Sequence, residues 1–208
     1  MNHFTRYAIA GAAAAALLTS GAVVARTQAT QVPAEVRAGV YNLDSDHGKI
    51  TWSVGHLGFS TYYGQFVNVQ ATLNLDPANP SASTLTATIP LTDVAPNSDG
   101  LKAHLQTPDF FDTANHPTAT FRSTRIVIDP SDPTEADVHG ELTLRGVTKP
   151  VVMEVEFNQA GPSMGGVYKV GFDGEATIRR SEFGVNFALP AVSDEVKLHI
   201  EGEFVLQQ

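Results

Sequence analysis

Between Ile50 and Leu206 about eight runs alternate apolar and polar residues with period 2, and no stretch reads as a long amphipathic helix. In the last run Val196, Leu198, Ile200, Phe204 and Leu206 share one parity, while Lys197, His199, Glu201 and Glu203 share the other. Side chains on a strand alternate sides, so each run presents one apolar and one charged face. An antiparallel sheet of this size closes on itself to remove its edges. The expected fold class is therefore all-β, an eight-stranded antiparallel barrel, and the question becomes what the apolar face touches.

The runs can be placed one by one. Residues 40–43 make a short lead strand, and 49–57 put Ile50, Trp52, Val54 and His56 on one side. Residues 64–75 read as one strand with Val67, Val69, Ala71, Leu73 and Leu75 together, and after a Pro/Asn/Ser turn Leu85, Ala87, Ile89 and Leu91 alternate again. Further on, Val138, Gly140, Leu142 and Leu144 share a parity, as do Val151, Met153, Val155 and Phe157. The longest run aligns Tyr168, Val170, Phe172, Gly174, Ala176 and Ile178. In the strand over 118–129 Phe121 and Ile126 fall on opposite parities, which predicts a bulge near Ser123.

Two segments break the rhythm, and breaks in a regular scaffold are where ligand entrances lie. Residues 97–114 carry no alternation; Asp99 is the expected cap of a short helix with Leu101 and Leu105 facing inward, ending before Pro108. Residues 181–189 form the second break, with Ser181 as a candidate cap and Phe183 and Phe187 four apart. Phe59, Tyr62, Tyr63, Phe66, Phe110, Phe111, Phe183 and Phe187 all fall at strand ends or in these breaks, whereas mid-strand positions are mostly aliphatic. Each ring alone is a core plug; together they can line or gate the mouth of a cavity.

Residues 1–29 read as a Sec-type signal peptide: Arg6 in a short leading region, an alanine-rich apolar run over 7–18, then small residues with cleavage after Ala25 or Ala29. About 12 strongly apolar residues are too few to span a bilayer comfortably. The expected location is the periplasm, with residues 30–39 as a linker and 40–208 as the folded domain. The chain has no cysteine, which excludes a lipid-anchored cysteine and disulfide staples. Its formal charge of −9 becomes one unit more negative without Arg6, and two without Arg26 as well. Such an acidic chain with no basic run is unsuited to nucleic acid, whose binding rests on phosphate neutralisation.

Chemistry-bearing motifs are few. The histidines outside the leader, His47, His56, His104, His116, His139 and His199, form no HxH, HxxxH or HExxH spacing, so no metal site is expected. Asp44, Asp46 and His47 are the best local cluster, and a solvated turn with an Asx cap explains it. His56 lies on the apolar parity, where a hydrogen-bonded core histidine is expected. No G-x-S-x-G, phosphate loop or cysteine nucleophile is present, so no catalytic residue is assigned. Glu154 and Glu156 read as a solvated face, Asp109 and Asp112 as turn and cap residues, and Lys102, Arg122 and Arg180 as surface charges, with pairing to a phosphate as the alternative for each of the three.

Three stretches carry a resemblance: HLQTPDFFDTANHPTATFRS over 104–123, GELTLRGVTKPVVMEV over 140–155, and ATIRRSEFGV over 176–185. With the opening DSDHGKITWSVGHLGFSTYYGQF over 44–66, their order and wording resemble the YceI-like family of secreted polyisoprenoid-binding proteins. The resemblance spans essentially the whole chain after the leader. It implies an elongated, lipocalin-like barrel with one or two short helices near the opening and a long apolar channel. It also implies a ligand of the isoprenoid or quinone class, held by packing and not as a catalytic cofactor. The family's paired phenylalanines fall on Phe110 and Phe111, its short helix on Leu101 to Leu105, its RSDFG-like turn on Arg180 to Gly184 with Glu182 as the acid, and its LTIRG-like hairpin on Leu142 to Gly146. Leu101, Lys102 and Ala103 stand where members often carry an arginine or acid, a departure that removes an inferred head-group contact.

The candidate ligand-lining residues are thus Trp52, Val54, His56, Phe59, Phe66, Val69 and Ile89 from the first half of the barrel. Leu101, Leu105, Phe110 and Phe111 come from the first break, and Phe183 and Phe187 from the second. Phe121, Leu142, Leu144, Met153, Val155, Phe172 and Ile178 come from the remaining strands. Three functions compete. The first is a carrier of an isoprenoid or other fatty amphiphile, a role compatible with a homodimer or with delivery of quinone to a membrane cytochrome. The second is an enzyme acting on such a lipid, with His56 as acid or base. The third is an outer-membrane barrel, which shares the same period but is opposed by the dense Lys and Glu of the polar parity.

Overall fold

The computed structural model describes residues 28–207; the segment expected to be a signal peptide lies, up to residue 27, outside the described residues. Ten strands follow in chain order: β1 (Gly39–His56), β2 (Ser60–Phe66), β3 (Gln70–Leu75), β4 (Thr84–Pro90), β5 (Val94–Ala95), β6 (Thr118–Ile128), β7 (Glu135–Leu144), β8 (Val147–Pro162), β9 (Tyr168–Arg179) and β10 (Glu195–Leu206). One helix, α1 (Asp99–Leu105), precedes β6. Every pairing is antiparallel, and β10 returns to pair with β1, closing the sheet. β2 and β3 follow one another along the same side of β1, while β4 and β5 likewise share a stave beyond them. The result is a closed, eight-stave, up-and-down antiparallel barrel.

Two places where the alternation slips decide which side chains of the first staves point inward. The lead strand and the run from residue 49 are one strand, β1, joined through an irregularity between Leu43 and Gly48, where the register against β10 shifts. This lets Tyr41 and Ile50, of opposite parity, both point inward, and Tyr41 is fully buried. The run 64–75 is two strands, not one. At Asn68 the backbone turns to φ 57°, with its Nδ2 donating to Asp93 Oδ2 at 2.9 Å, and the inward parity switches from Phe66 to Val69. Val67 therefore leaves the inward set. The bulge expected near Ser123 is present between Ser123 and Arg125, and it restores Ile126 to the interior.

Residues 30–39, expected as a linker, are docked. Thr30 and Ala160 exchange both backbone hydrogen bonds, at 2.7 and 2.9 Å, and a 3-10 turn over Pro33–Glu35 delivers Val36 into the core. Val36 packs with Tyr41, Leu73, Phe157, Ala160, Tyr168, Val170 and Phe204, plugging the lower end of the barrel. Tyr41 donates to the Arg37 carbonyl at 2.6 Å, and burial pushes its phenol up to about 12. The apolar side chains of the segment, not its Pro and Ala content, decide the matter.

At the opposite, upper end stand the two insertions that break the alternation: residues 96–117 between β5 and β6, and 180–194 between β9 and β10. α1 is capped by Ser98, whose Oγ accepts from Leu101 N at 3.4 Å; Asp99, the expected cap, is in the first turn. The second insertion opens with a 3-10 turn over Arg180–Phe183, closed by Gly184 at φ 76°. Ser181 does not cap this turn; it donates its Oγ to Asp194 at 2.8 Å.

Candidate functional site

Along β10 the apolar parity, Val196, Leu198, Ile200 and Phe204, points into the barrel, and Lys197, His199, Glu201 and Glu203 point out, where Lys49 pairs with Glu201. The oily face is the inner face. Inside it lie two chambers. The upper one, about 420 Å³, runs beneath the two insertions; the lower one, about 230 Å³, lies between it and the basal plug. Ile50, Ile89, Leu142 and Leu198 border both, so the chambers meet at a waist of four aliphatic side chains. The upper chamber alone falls within the range of about 300–1,000 Å³ usual for small-molecule sites.

Many inward residues are only partly buried. Ile50, Met153, Val155, Phe172, Leu198 and Ile200 all retain accessible surface although they point away from solvent. Their exposure is to the interior, and apolar surface left accessible there is surface that a ligand can cover.

The two chambers collect every candidate lining residue except Phe59 and Phe183. Trp52, Val54, His56, Phe66, Leu101, Leu105, Phe110, Phe111, Leu144, Ile178 and Phe187 line the upper chamber, and Val69, Phe121, Met153, Val155 and Phe172 the lower; Ile89 and Leu142 serve both. Phe59 is 90 % exposed, because Leu57 at φ 54° and Gly58 at φ 74° turn the β1–β2 connection so that the ring points outward. Phe183 is 1 % exposed and packs into the core with Leu91, Ala119 and Leu144, a plug and not a gate. Its companion Phe187 takes the lid position. The rings of His104, Phe110 and Phe187 meet pairwise at 4.9 to 5.3 Å between centroids, tying the two insertions together over the mouth.

Two inward glycines make room for aromatic rings. Gly64 faces Trp52 across β1 and β2, and a Cβ at Gly64 would overlap the indole. Gly140 does the same for Phe121. The wall is thinned where the largest rings lie flat against it.

Arg180 overturns its expectation as a surface charge. It is 5 % exposed, and its guanidinium donates to four backbone carbonyls: Nε to Ser193 at 2.8 Å, Nη1 to Val185 at 2.9 Å and to Phe187 at 2.8 Å, and Nη2 to Val192 at 2.9 Å. Burial lowers its pKa, with the Asp194 carboxylate working the other way. The signal was available: Arg180 continues the inward parity of Tyr168 through Ile178, one step past the end of β9. Arg122, by contrast, is exposed and Lys102 half-buried. His56, expected in the core, stands exposed at the rim of the upper chamber, where β1 ends.

The His47 cluster lies outside the chambers, on the flank near the irregularity in β1. Asp44, His47 and Glu203 converge there, but the Lys169 ammonium already sits between the acids, 2.8 Å from Asp44 Oδ2 and 2.7 Å from Glu203 Oε2. Lys169, then His47, hold the Asp44 carboxyl down to about 2, and Asp44 and Glu203 raise Lys169 in return. An internal cation thus fills the place a metal ion would take.

Comparisons with known proteins agree with this architecture. The model of the YceI-like domain matches residues 41–204. Protein YceI of Escherichia coli is 36% identical over 173 residues, which cover 82% of this chain and 89% of that protein. The crystal structure of the Campylobacter jejuni YCEI protein, 30% identical, superimposes with a TM-score of 0.65 over 74% of this chain and 90% of that one. A polyisoprenoid binding domain from Saccharophagus degradans shares the fold at a TM-score of 0.61 over 82% of this chain and 100% of its own, with 14% identity. On the match over most of its length and on these relatives, the chain belongs to the family of YceI-like domains.

Proposed function

We propose that this protein is a periplasmic, non-catalytic carrier that holds one isoprenoid or comparable long-chain amphiphile, of the quinone or polyprenyl phosphate class, inside its barrel. The observation that carries the reading is the accessible apolar surface on the inward parity, spread over two chambers that meet at one waist. The polyisoprenoid binding named for the Saccharophagus degradans domain of the same fold supports the ligand class. The leader-like residues 1–29 support export.

Enzymatic and outer-membrane readings have less to rest on. His56 stands at the exposed rim of the upper chamber, His104 there is paired with Asp109, and the guanidinium of Arg180 is committed to four backbone carbonyls. The charged parity faces outward, where a membrane barrel would need an apolar band.

Each CH₂-sized unit buried contributes about 0.8 kcal/mol, so affinity should follow tail length. Titrating emptied protein with prenyl alcohols of increasing length should show affinity rising with each added isoprene unit until the tail reaches the basal plug, then levelling. Affinity independent of length, or no binding at any length, would refute the carrier reading.

A further inference from the structure

The β1–β2 connection holds its apolar side chains out into solvent beside the rim of the upper chamber. Phe59 is 90 % exposed and Leu57 52 %, on a tight turn in which Phe59 N donates to the His56 carbonyl at 3.0 Å. Leu57 stands at φ 54°, the left-handed conformation that Gly, Asn and Asp adopt most readily. A leucine there forgoes both burial and an easier backbone, so stability alone does not account for it. The turn is nevertheless held firmly. Leu57 N donates to the Ala191 carbonyl at 2.8 Å, Ser193 N to the Gly55 carbonyl at 2.9 Å, and Gly55 N to Ser193 Oγ at 2.9 Å. Turn and second insertion thus form one platform, and Phe187, 44 % exposed, belongs to the same insertion.

Charge sets this platform apart. The chain carries a formal −9, yet residues 50–75 and 183–193 contain no Asp, Glu, Lys or Arg, and His56 is their only side chain that can become a cation. Outward-facing Thr51 and Ser53 of β1 are neutral, whereas His199 and Lys197, their partners on β10, belong to its charged parity. Desolvating a charge is costly and desolvating an apolar side chain is favourable, so the platform can enter a medium of low dielectric. An exposed apolar patch marks either a protein or a membrane surface. A protein partner is framed by a polar rim of matched groups, and the platform has no carboxylate, ammonium or guanidinium to offer one. A bilayer needs only apolar tips, with amphipathic rings such as Tyr63, 62 % exposed and further back along β2, left at head-group level.

We propose that the platform led by Leu57 and Phe59 enters the interface of a zwitterionic lipid bilayer and seats the mouth of the upper chamber against it. An apolar ligand then reaches the chambers without crossing bulk water. The docking surface is read from exposure and charge; its use in loading the barrel rests on the carrier reading.

Phe59→Trp reports on insertion. In phosphatidylcholine vesicles with brominated acyl chains the introduced indole should be quenched, the background being the wild type, whose only tryptophan is the buried Trp52. The double variant Leu57→Asn, Phe59→Ser removes both tips and keeps the turn, since Asn suits the left-handed position. Its partition into phosphatidylcholine vesicles should fall at least about 10-fold below wild type, because two apolar side chains no longer leave water. Neither residue lines a chamber, so its affinity for a short prenyl alcohol in vesicle-free solution should not change. Adding phosphatidylglycerol to the vesicles should weaken wild-type binding, because the chain is acidic. An unquenched indole, equal partition of wild type and double variant, tighter binding to the anionic vesicles, or a wild-type dimer that the double variant dissolves would each overturn the proposal and leave the carrier reading standing. A prenyl alcohol bound by neither protein, with the introduced indole still quenched, would overturn the carrier reading and leave the docking surface standing.

Discussion

Replacing Arg180 with alanine should lower the free energy of unfolding by roughly 3–5 kcal/mol, the range for breaking a buried, charge-assisted set of hydrogen bonds. The guanidinium gathers the carbonyls of Val185, Phe187, Val192 and Ser193, so one side chain holds both ends of the 180–194 insertion. Without it, the buried carbonyls among these lose their donor, each at a cost of about 1–3 kcal/mol unless the loop opens to water. Opening is the cheaper course, and it removes Phe187 from its contacts with His104 and Phe110. The variant should therefore lose stability in urea denaturation and release a bound amphiphile faster. Arg180→Lys should rescue only part of the loss, since three donors on one nitrogen cannot reproduce the planar fork. Arg122→Ala, at an exposed position, should stay within about 0.5 kcal/mol of wild type. A loss at Arg180 no larger than at Arg122 would show that the Ser181–Asp194 bonds, and not the arginine, hold the insertion.

Leu142→Trp should reduce affinity for a long-chain amphiphile by at least about 100-fold while sparing a short one. Leu142 borders both chambers, and an indole there fills the waist. A tail barred from the lower chamber forfeits about 0.8 kcal/mol for each CH₂-sized unit, so losing one isoprene unit of burial amounts to roughly 4 kcal/mol. The structural cost is smaller, about 1–3 kcal/mol for overpacking, because the added atoms enter open space. Paired titrations with a long and a short prenyl alcohol separate the effects. Equal loss for both would mean that the variant distorts the barrel; no loss for either would mean that the tail does not pass the waist.

Much of this architecture is legible in the sequence, because period 2 is a strong signal wherever one face of a strand is apolar. The inward sets of β4, β7, β8, β9 and β10 can be read directly, as can the bulge at Ser123, where Phe121 and Ile126 demand it. What escapes is whatever resets the parity without a compositional mark. The irregularity between Leu43 and Gly48 fuses two runs into β1, and the turn at Asn68 splits one run into β2 and β3. Both depend on register against a distant strand, which local pattern does not carry. Residues 30–39 look like a linker by composition, yet Val36 finds a socket formed by Tyr168, Phe204 and their neighbours. Phe59 and Phe187 lie in similar surroundings along the chain, and only the direction of the backbone puts one in solvent and the other over the mouth.

At Arg180 charge and parity point in opposite directions. Charge argued for the surface and parity for the interior, and parity won because the insertion supplies four carbonyls to pair the charge. The same logic gives the barrel its functional reading. A face of aliphatic residues would ordinarily pack shut; here the interdigitation is incomplete, and the inner surface stays accessible at Ile50, Val155 and Leu198.

The most direct test is native mass spectrometry of the protein expressed from its full sequence and purified without detergent, followed by organic extraction. One long-chain isoprenoid-type amphiphile should accompany each chain, and the emptied protein should rebind it. A chain that carries no lipid and, once emptied, admits no long-chain probe to its interior would contradict the carrier account.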